Sequence, residues 1–454
     1  MRLAVAMPGL ERDSLHCRAL EATLEAMAEA GADLEGFAEH DRLAAEDLGF
    51  PIYHYLRLPE RHRCLPFDVA LYPIGRDASP YQAACWLMRQ APSVAWLFDS
   101  VLHHLALGGI ALMGRWRSYR DLLEAAYGDI GAALTQAVAQ SWGTNSLFRH
   151  YDLVAELTRD QHAVIASWPA LADRLASRMP DRGIAVAPLP LVEDPKHWQI
   201  NDKIGGRSFT TAILSMNSSN PAGSVAAAAA VLGNDPEAKA VFCTSTFAYA
   251  NGARESARRQ GIHDRIDWIL DPNQGSLTSI VREASVLIWL DEDLRADGRA
   301  LLLHGLAGGR LTIVPRSDLY GDIPEGVVAK VDPGHSLGPE IAAFLEMLGK
   351  SASLRRSMQQ SAVTFAKSVP AAAEAAAQLQ EILETQADPT GLRISRVSAP
   401  IWDALDEDLA THLIPAAATV STHRLLSEII GNLAAQQPRV SEDGSDRGEG
   451  ERPE

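Results

Sequence analysis

Short apolar runs recur along this chain, and a helix-length segment follows almost every one of them. In the first half the runs are Leu3–Met7, Ile52–Leu58, Val69–Ile74, Val94–Phe98, Ala163–Ala166 and Ile184–Pro188. They are mostly apolar on both faces and bounded by Pro, Gly, Asp or Ser, as expected of strands buried on both sides of a parallel sheet. The segments Leu15–Ala30, Tyr81–Gln90 and Tyr119–Trp142 carry helical periodicity between them. Strand–helix–strand alternation requires crossover connections, and crossovers make parallel sheets. Leu189–Arg207 is polar and irregular, and a second series then begins: Phe209–Met216, Ala240–Thr246, Ile266–Leu270, Val286–Leu290, Leu311–Val314 and Val327–Val331. Its helices are predicted at Ser224–Leu232, Ser276–Glu283 and Arg299–Ala307. The pattern therefore predicts two α/β halves, 1–195 and 208–370, joined by a linker. Two more helices, Leu337–Leu348 and Ala371–Thr385, close the second half. A helical extension over 371–435 and an acidic tail over 436–454 complete the chain.

Charge and cysteine usage narrow the partners. The 454 residues carry 41 Lys and Arg against 58 Asp and Glu, a formal net charge of -17. A chain of that sign repels nucleic acid and anionic lipid, so neither is an expected non-specific partner; Arg57, Arg61, His62 and Arg63 are its densest basic cluster. Cys17, Cys64, Cys85 and Cys243 are widely spaced, which reads as free thiols in a reducing compartment rather than a zinc or disulfide framework. The apolar start at Met1–Met7 is too short for a signal peptide, and no apolar stretch reaches the ~18 residues of a membrane span. The expected location is the cytoplasm, with at most a peripheral contact at the inner membrane face.

Particular residues then carry a family resemblance. Val69-Ala-Leu-Tyr-Pro-Ile-Gly-Arg76 is followed by Ser93-Val-Ala-Trp-Leu-Phe-Asp99 and then by His103-His104. This resembles the first domain of bacterial family-4-like glycosyltransferases, where one strand ends in Gly-Asn and the next in His-Asp. Val164-Ile-Ala-Ser167 and Pro188-Leu-Pro190 resemble the later strand and the exit turn of that domain. In the second half, Gly261-Ile-His-Asp-Arg-Ile266, Glu283-Ala-Ser-Val-Leu-Ile288 and the stretch Asp297–Val314 resemble the approach strand, the following strand and the donor signature. The resemblance spans roughly Met1–Leu379. It implies the GT-B architecture: two Rossmann-like domains with parallel sheets facing across a cleft, an acceptor-side domain first and a nucleotide-sugar donor domain second. It also implies glycosyl transfer from a nucleotide-sugar to a glycan or lipid-linked acceptor, in bacterial surface polysaccharide biosynthesis, with no metal and no cofactor.

Candidate site residues follow from that resemblance. Asp99 closes a strand and can orient an acceptor hydroxyl or act as base; as readily, it caps the following helix. Asp297 opens the Arg299–Ala307 segment, with His304 seven residues on and on the same helical face. The family places a donor-sugar contact at the first position and a ribose contact at the second. A simple N-cap and a packing histidine are the alternatives. Asn217, Ser218 and Ser219 sit where amides can cradle a diphosphate, or where a cap is needed. Gly308 and Gly309 end the donor helix, and Arg316 is a spare cation after the next strand or a surface arginine. On the acceptor side stand Gly75, His103 and His104; one histidine is expected to face the cleft and the other to pack. The sequence also departs from the family: Phe98 and Ala166 replace histidines, Arg76 an asparagine, His304 an acid, and no cation stands in Asn217–Pro221. Those departures support an alternative, a catalytically degenerate GT-B protein acting as a binding or scaffold subunit. A GT-B sugar-nucleotide epimerase is a third reading without supporting residues.

Residues Gln436–Glu454 are dominated by Gly, Ser, Asp, Glu, Arg and Pro and have little apolar surface to bury, which predicts disorder. Truncation before Gln436 is expected to leave the melting temperature unchanged. A fall of several degrees would show that the tail docks.

Overall fold

Strand pairing decides the architecture, and among the described residues every strand pairs in parallel. The computed structural model describes residues 1–9, 14–39, 48–111, 115–140, 145–193, 198, 210–216, 221–234, 238–245, 247–291, 294–386 and 392–393. Met1–Ser395 forms one compact unit; residues 396–454, which include the expected tail, lie outside the described residues.

The first sheet contains β1 (Arg2–Ala6), β2 (Asp33–Ala38), β3 (Ile52–His54), β4 (Val69–Ile74), β5 (Val94–Leu97), β6 (Ala163–Ala166) and β7 (Ile184–Val186). Their order is β3-β2-β1-β4-β5-β6-β7. The second contains β8 (Thr210–Leu214), β9 (Lys239–Thr244), β10 (Ile266–Leu270), β11 (Val286–Trp289), β12 (Leu311–Pro315) and β13 (Ala329–Val331), ordered β10-β9-β8-β11-β12-β13. Both sheets reverse direction of growth beside their first strand, at β1/β4 and at β8/β11. Two separate doubly wound parallel sheets are the predicted fold class.

Four local expectations need correction. β2 was not predicted: Asp33-Leu-Glu-Gly-Phe-Ala38 reads as polar, yet Glu35 is buried because the guanidiniums of Arg2 and Arg61 neutralise it. The Ile52–Leu58 run stops pairing at His54 and turns helical, as Pro59 suits the first helical turn. Tyr119–Trp142 is not one helix. Trp116–Tyr127 and Asp129–Ala139 are separate, broken at Gly128, whose φ of 59° other residues rarely adopt. A further helix, Ala352–Ala366, lies between the two predicted to close the second half.

The second half is tied back to the first. Helix Ala372–Gln386 packs against Leu15–Glu29, burying Ala376, Leu379 and Leu383 in the same apolar cluster as Leu20 and Leu24. That cluster also holds Leu3 and Val5 of β1 and Leu287 and Trp289 of β11, so one core runs from sheet to sheet. The helices between β5 and β6 have a small core of their own around Tyr119, Leu123, Leu134 and Phe148.

Gly131 locks the helical pair of that small core. A Cβ there would lie 2.3 Å from the Leu123 carbonyl and 2.4 Å from the Glu124 nitrogen. In an open helix, Gly→Ala stabilises by about 1 kcal/mol. Here the backbones must part, so Gly131→Ala is expected to destabilise by about 1–3 kcal/mol. Urea unfolding reads the sign, and a stabilised variant would mean that the two helices do not pack this closely.

Candidate functional site

In open parallel sheets, ligands bind beyond the carboxyl ends of the strands, at the point where strand order reverses. Both switch points of this chain open onto one cavity of about 230 Å³. The first turn of helix Leu15–Glu29 brings His16 to it, and the loop after β4 brings Arg76 and Asp77. Leu214 and Met216 arrive at the end of β8, and Asp291, Arg295 and Asp297 after β11. Tyr81, Asp99, Asp271, Gln274 and Leu301 complete much of the wall. Asp271 turns the chain there with a left-handed φ of 49°, which Asp tolerates better than most residues.

Two helix N-termini meet across the cavity, each answered by an aspartate of the opposite half. Ser14 is the N-cap of Leu15–Glu29 and accepts from the Cys17 nitrogen at 3.1 Å. Its hydroxyl donates to Asp297 Oδ1 at 2.8 Å, and the His16 amide donates to the same oxygen at 3.4 Å. Reciprocally, Asp99 Oδ1 accepts from the Ala296 amide at 3.3 Å, at the start of helix Ala296–Ala307, while Asp99 Oδ2 accepts from the Arg76 amide at 2.8 Å. Asp99 therefore caps a helix, but one in the other half. Asp297 is not an N-cap; Arg295 holds that position and makes no side-chain capping bond.

His16 joins Asp297 to the first half. Its Nδ1 lies 2.9 Å from Asp297 Oδ1, and its Nε2 2.6 Å from the Tyr81 hydroxyl. Burial opposes a charge on this ring. The Asp297 carboxylate, the Tyr81 hydroxyl and the Cys17 thiol outweigh it and hold His16 well above its ordinary value. Burial likewise opposes ionisation of Asp297, but the His16 charge and the Ser14 and His16 hydrogen bonds hold its carboxyl below the usual range. Gly75 makes room for the arrangement, since a Cβ there would lie 2.5 Å from the Tyr81 ring.

Other predicted residues stand elsewhere. Asn217, Ser218 and Ser219 lie outside the described residues. His104 Nε2 meets the guanidinium of Arg76, which reaches the cavity wall. His103 packs in the helical pair's core, with its ring 4.2 Å from that of Phe148. Its Nδ1 donates to the Tyr151 carbonyl at 2.5 Å, its Nε2 meets the Tyr119 hydroxyl at 2.5 Å, and burial pushes it down to about 4. His304 is 1% exposed; its Nδ1 donates to the Ala300 carbonyl at 2.7 Å, and its ring lies 5.1 Å from that of Trp198. Gly308 serves the same contact, because a Cβ would meet the Trp198 carbonyl oxygen at 2.3 Å; Gly309, at φ 68°, ends the helix. Arg316 is held by Glu325 and Asp332, each at 2.9 Å, and is not among the cavity-lining residues. Sequence reasoning missed Ser14, His16, Tyr81 and Arg295. Ser14 was findable as an N-cap just before an apolar helix, with His16 in the first turn. Tyr81 and Arg295 carried no local signal.

Among the described residues, no group of three or more His, Cys, Asp or Glu is placed to hold a metal ion, and no helix is long and apolar enough to cross a membrane.

No family model matches the chain, and no curated protein matches it in sequence. Solved structures do match in fold. HepE from Anabaena in complex with UDP-glucose aligns with a TM-score of 0.54 and 12% identity, over 85% of this chain and 100% of that one. A glycosyltransferase from Rickettsia africae aligns with a TM-score of 0.54 and 11% identity, over 86% and 99%. WaaG, a glycosyltransferase involved in lipopolysaccharide biosynthesis, aligns with a TM-score of 0.50 and 12% identity, over 85% and 99%. The chain has the GT-B fold of these glycosyltransferases.

The His16–Asp297 pair fixes a pH dependence. A group raised in the folded state stabilises fully below its unfolded value, near 6.5, and that stability is lost as pH rises through the elevated folded value. The Asp297 share is present at neutral pH and is lost only in acid, as pH falls through its depressed value. His16→Gln is expected to lose about 1.5–3 kcal/mol at neutral pH and to lack the wild-type decline on the alkaline side. Melting temperature against pH for both proteins tests this; parallel curves would remove the pair from the account.

Proposed function

We propose that this chain is a glycosyltransferase that moves a sugar from a nucleotide-sugar donor to a glycan or lipid-linked acceptor, without a metal. The observation that carries the reading is the position of the cavity. It lies at the switch points of both sheets at once, and residues of both halves form it. A reaction between two bound substrates needs such a place, because holding both in register removes most of the entropic barrier. HepE was solved with UDP-glucose in the same fold, and WaaG acts in lipopolysaccharide biosynthesis. The first supports a nucleotide-sugar donor for this chain, and the second a surface-polysaccharide acceptor. In the proposed site Asp297, partly exposed in the cavity, faces the donor sugar. Asp99 stands opposite, between the Arg76 and Ala296 amides, and orients the acceptor hydroxyl.

One observation favours a second reading, a GT-B protein that binds without turnover. His304, at the position that the resemblance assigns to the ribose, is sealed against Trp198, and Asp297 is already engaged by Ser14 and His16.

Kinetics and calorimetry separate the two. Asp297→Asn is expected to reduce donor turnover about 100-fold, the size of effect seen when one transition-state contact is removed, and His304→Ala by far less. Ser14→Ala is the control, since it loosens the contact between the halves and leaves the carboxylate in place. Wild type that binds no nucleoside diphosphate at millimolar concentration would establish the non-catalytic reading. Wild-type turnover in the Asp297 variant would remove that residue from the site.

A further inference from the structure

The cavity has a one-sided polar deficit. Arg295 Nε, Trp289 Nε1 and Gln274 Nε2 all line it, and all three are buried without a hydrogen-bond partner among the described residues. Each is an N–H donor. A buried donor left unpaired is destabilising, so three in one cavity suit a ligand rich in oxygen acceptors.

Arg295 is the charged member. It precedes the first turn of helix Ala296–Ala307, two residues before Asp297, and its side chain is 35% exposed. Its ion pair reaches across the cleft to Asp77 at 3.8 Å, too long for a hydrogen bond, and Asp77 itself is 60% exposed. Neighbouring guanidiniums are held more firmly. Arg299 grips Asp322 at 2.5 and 3.3 Å, Arg316 sits between two carboxylates, and Arg76 meets His104. Arg295 is thus a cation aimed into the cavity and lightly tethered. A guanidinium fork matches two phosphate oxygens at once, and the start of a helix adds positive potential beside it. The segment 217–221, where the family resemblance would put a cation for the donor phosphates, contains no Lys or Arg.

We propose that Arg295 grips the diphosphate of the donor, and that Asp77 holds its guanidinium across the cleft until phosphate oxygens displace the carboxylate. This rests on the nucleotide-sugar reading above and moves the missing charge from the loop after β8 to the start of the helix after β11. Arg295 then acts as the residue that distinguishes a diphosphate from a bare nucleoside.

The test is isothermal titration of the full chain with UDP, GDP and ADP, each paired with its nucleoside. Arg295→Ala is expected to weaken the bound diphosphate about tenfold to a hundredfold and to leave the matching nucleoside unchanged. Arg295→Lys should restore part of the affinity, as a point charge without the fork. Asp77→Asn should tighten diphosphate binding severalfold, since the competing carboxylate is gone. Diphosphate affinity in Arg295→Ala equal to wild type overturns the proposal while leaving the donor reading intact. Equal loss of diphosphate and nucleoside also overturns it, because a damaged cleft explains both. Weaker binding by Asp77→Asn overturns the role given to Asp77. If wild type binds none of the diphosphates, the donor reading itself falls and this assignment falls with it.

Discussion

The closed arrangement of this protein depends on a reciprocal exchange between two helix ends. Asp297 accepts from the N-cap serine and first-turn amide of Leu15–Glu29, and Asp99 accepts from the first amide of Ala296–Ala307. The first amides of any helix lack partners within it and carry positive potential. Brought face to face they would repel and stand unsatisfied. An aspartate from each side answers the other side's helix, so each half supplies part of the other's cap when the two are together. His16 adds a charge to the exchange and makes it sensitive to pH.

The same exchange constrains chemistry. Asp99 and Asp297, two carboxylates of the cavity wall, are also the two that bridge the halves. Ser14 and His16 already engage Asp297, so any ligand that reached this carboxylate would compete with them. Trp198 fixes a second point of the same helix by packing on His304 and Gly308, two turns beyond Asp297.

The two-sheet plan was legible because buried parallel strands must be apolar on both faces, and the runs at Val69–Ile74, Val94–Leu97 and Val286–Trp289 are. β2 was not legible, because its burial depends on Arg2 and Arg61, one far before Glu35 in sequence and the other far after it. The break at Gly128 was hidden by continuous periodicity on either side, where only the φ angle shows the chain turning. For the site, Asp99 and Asp297 were legible from their positions after strands and reach the cavity wall. Their hydrogen-bond partners lie 197 and 283 residues away, at Ala296 and Ser14, and no spacing rule connects them.

The sequence by itself determined the fold class, the succession of strands and helices, and which loops follow strand ends, because these depend on local periodicity and on burial of both sheet faces. It also supplied every titratable group of the cavity. Only the tertiary structure decided which of those groups meet. His16 is one polar residue in a helix's first turn until the second half delivers Asp297, and Arg295 is an ordinary arginine until Asp77 faces it across the cleft. Charge acts through space and falls off with distance, not with separation along the chain. The pairing of groups from opposite halves was therefore settled when the two sheets packed around one core.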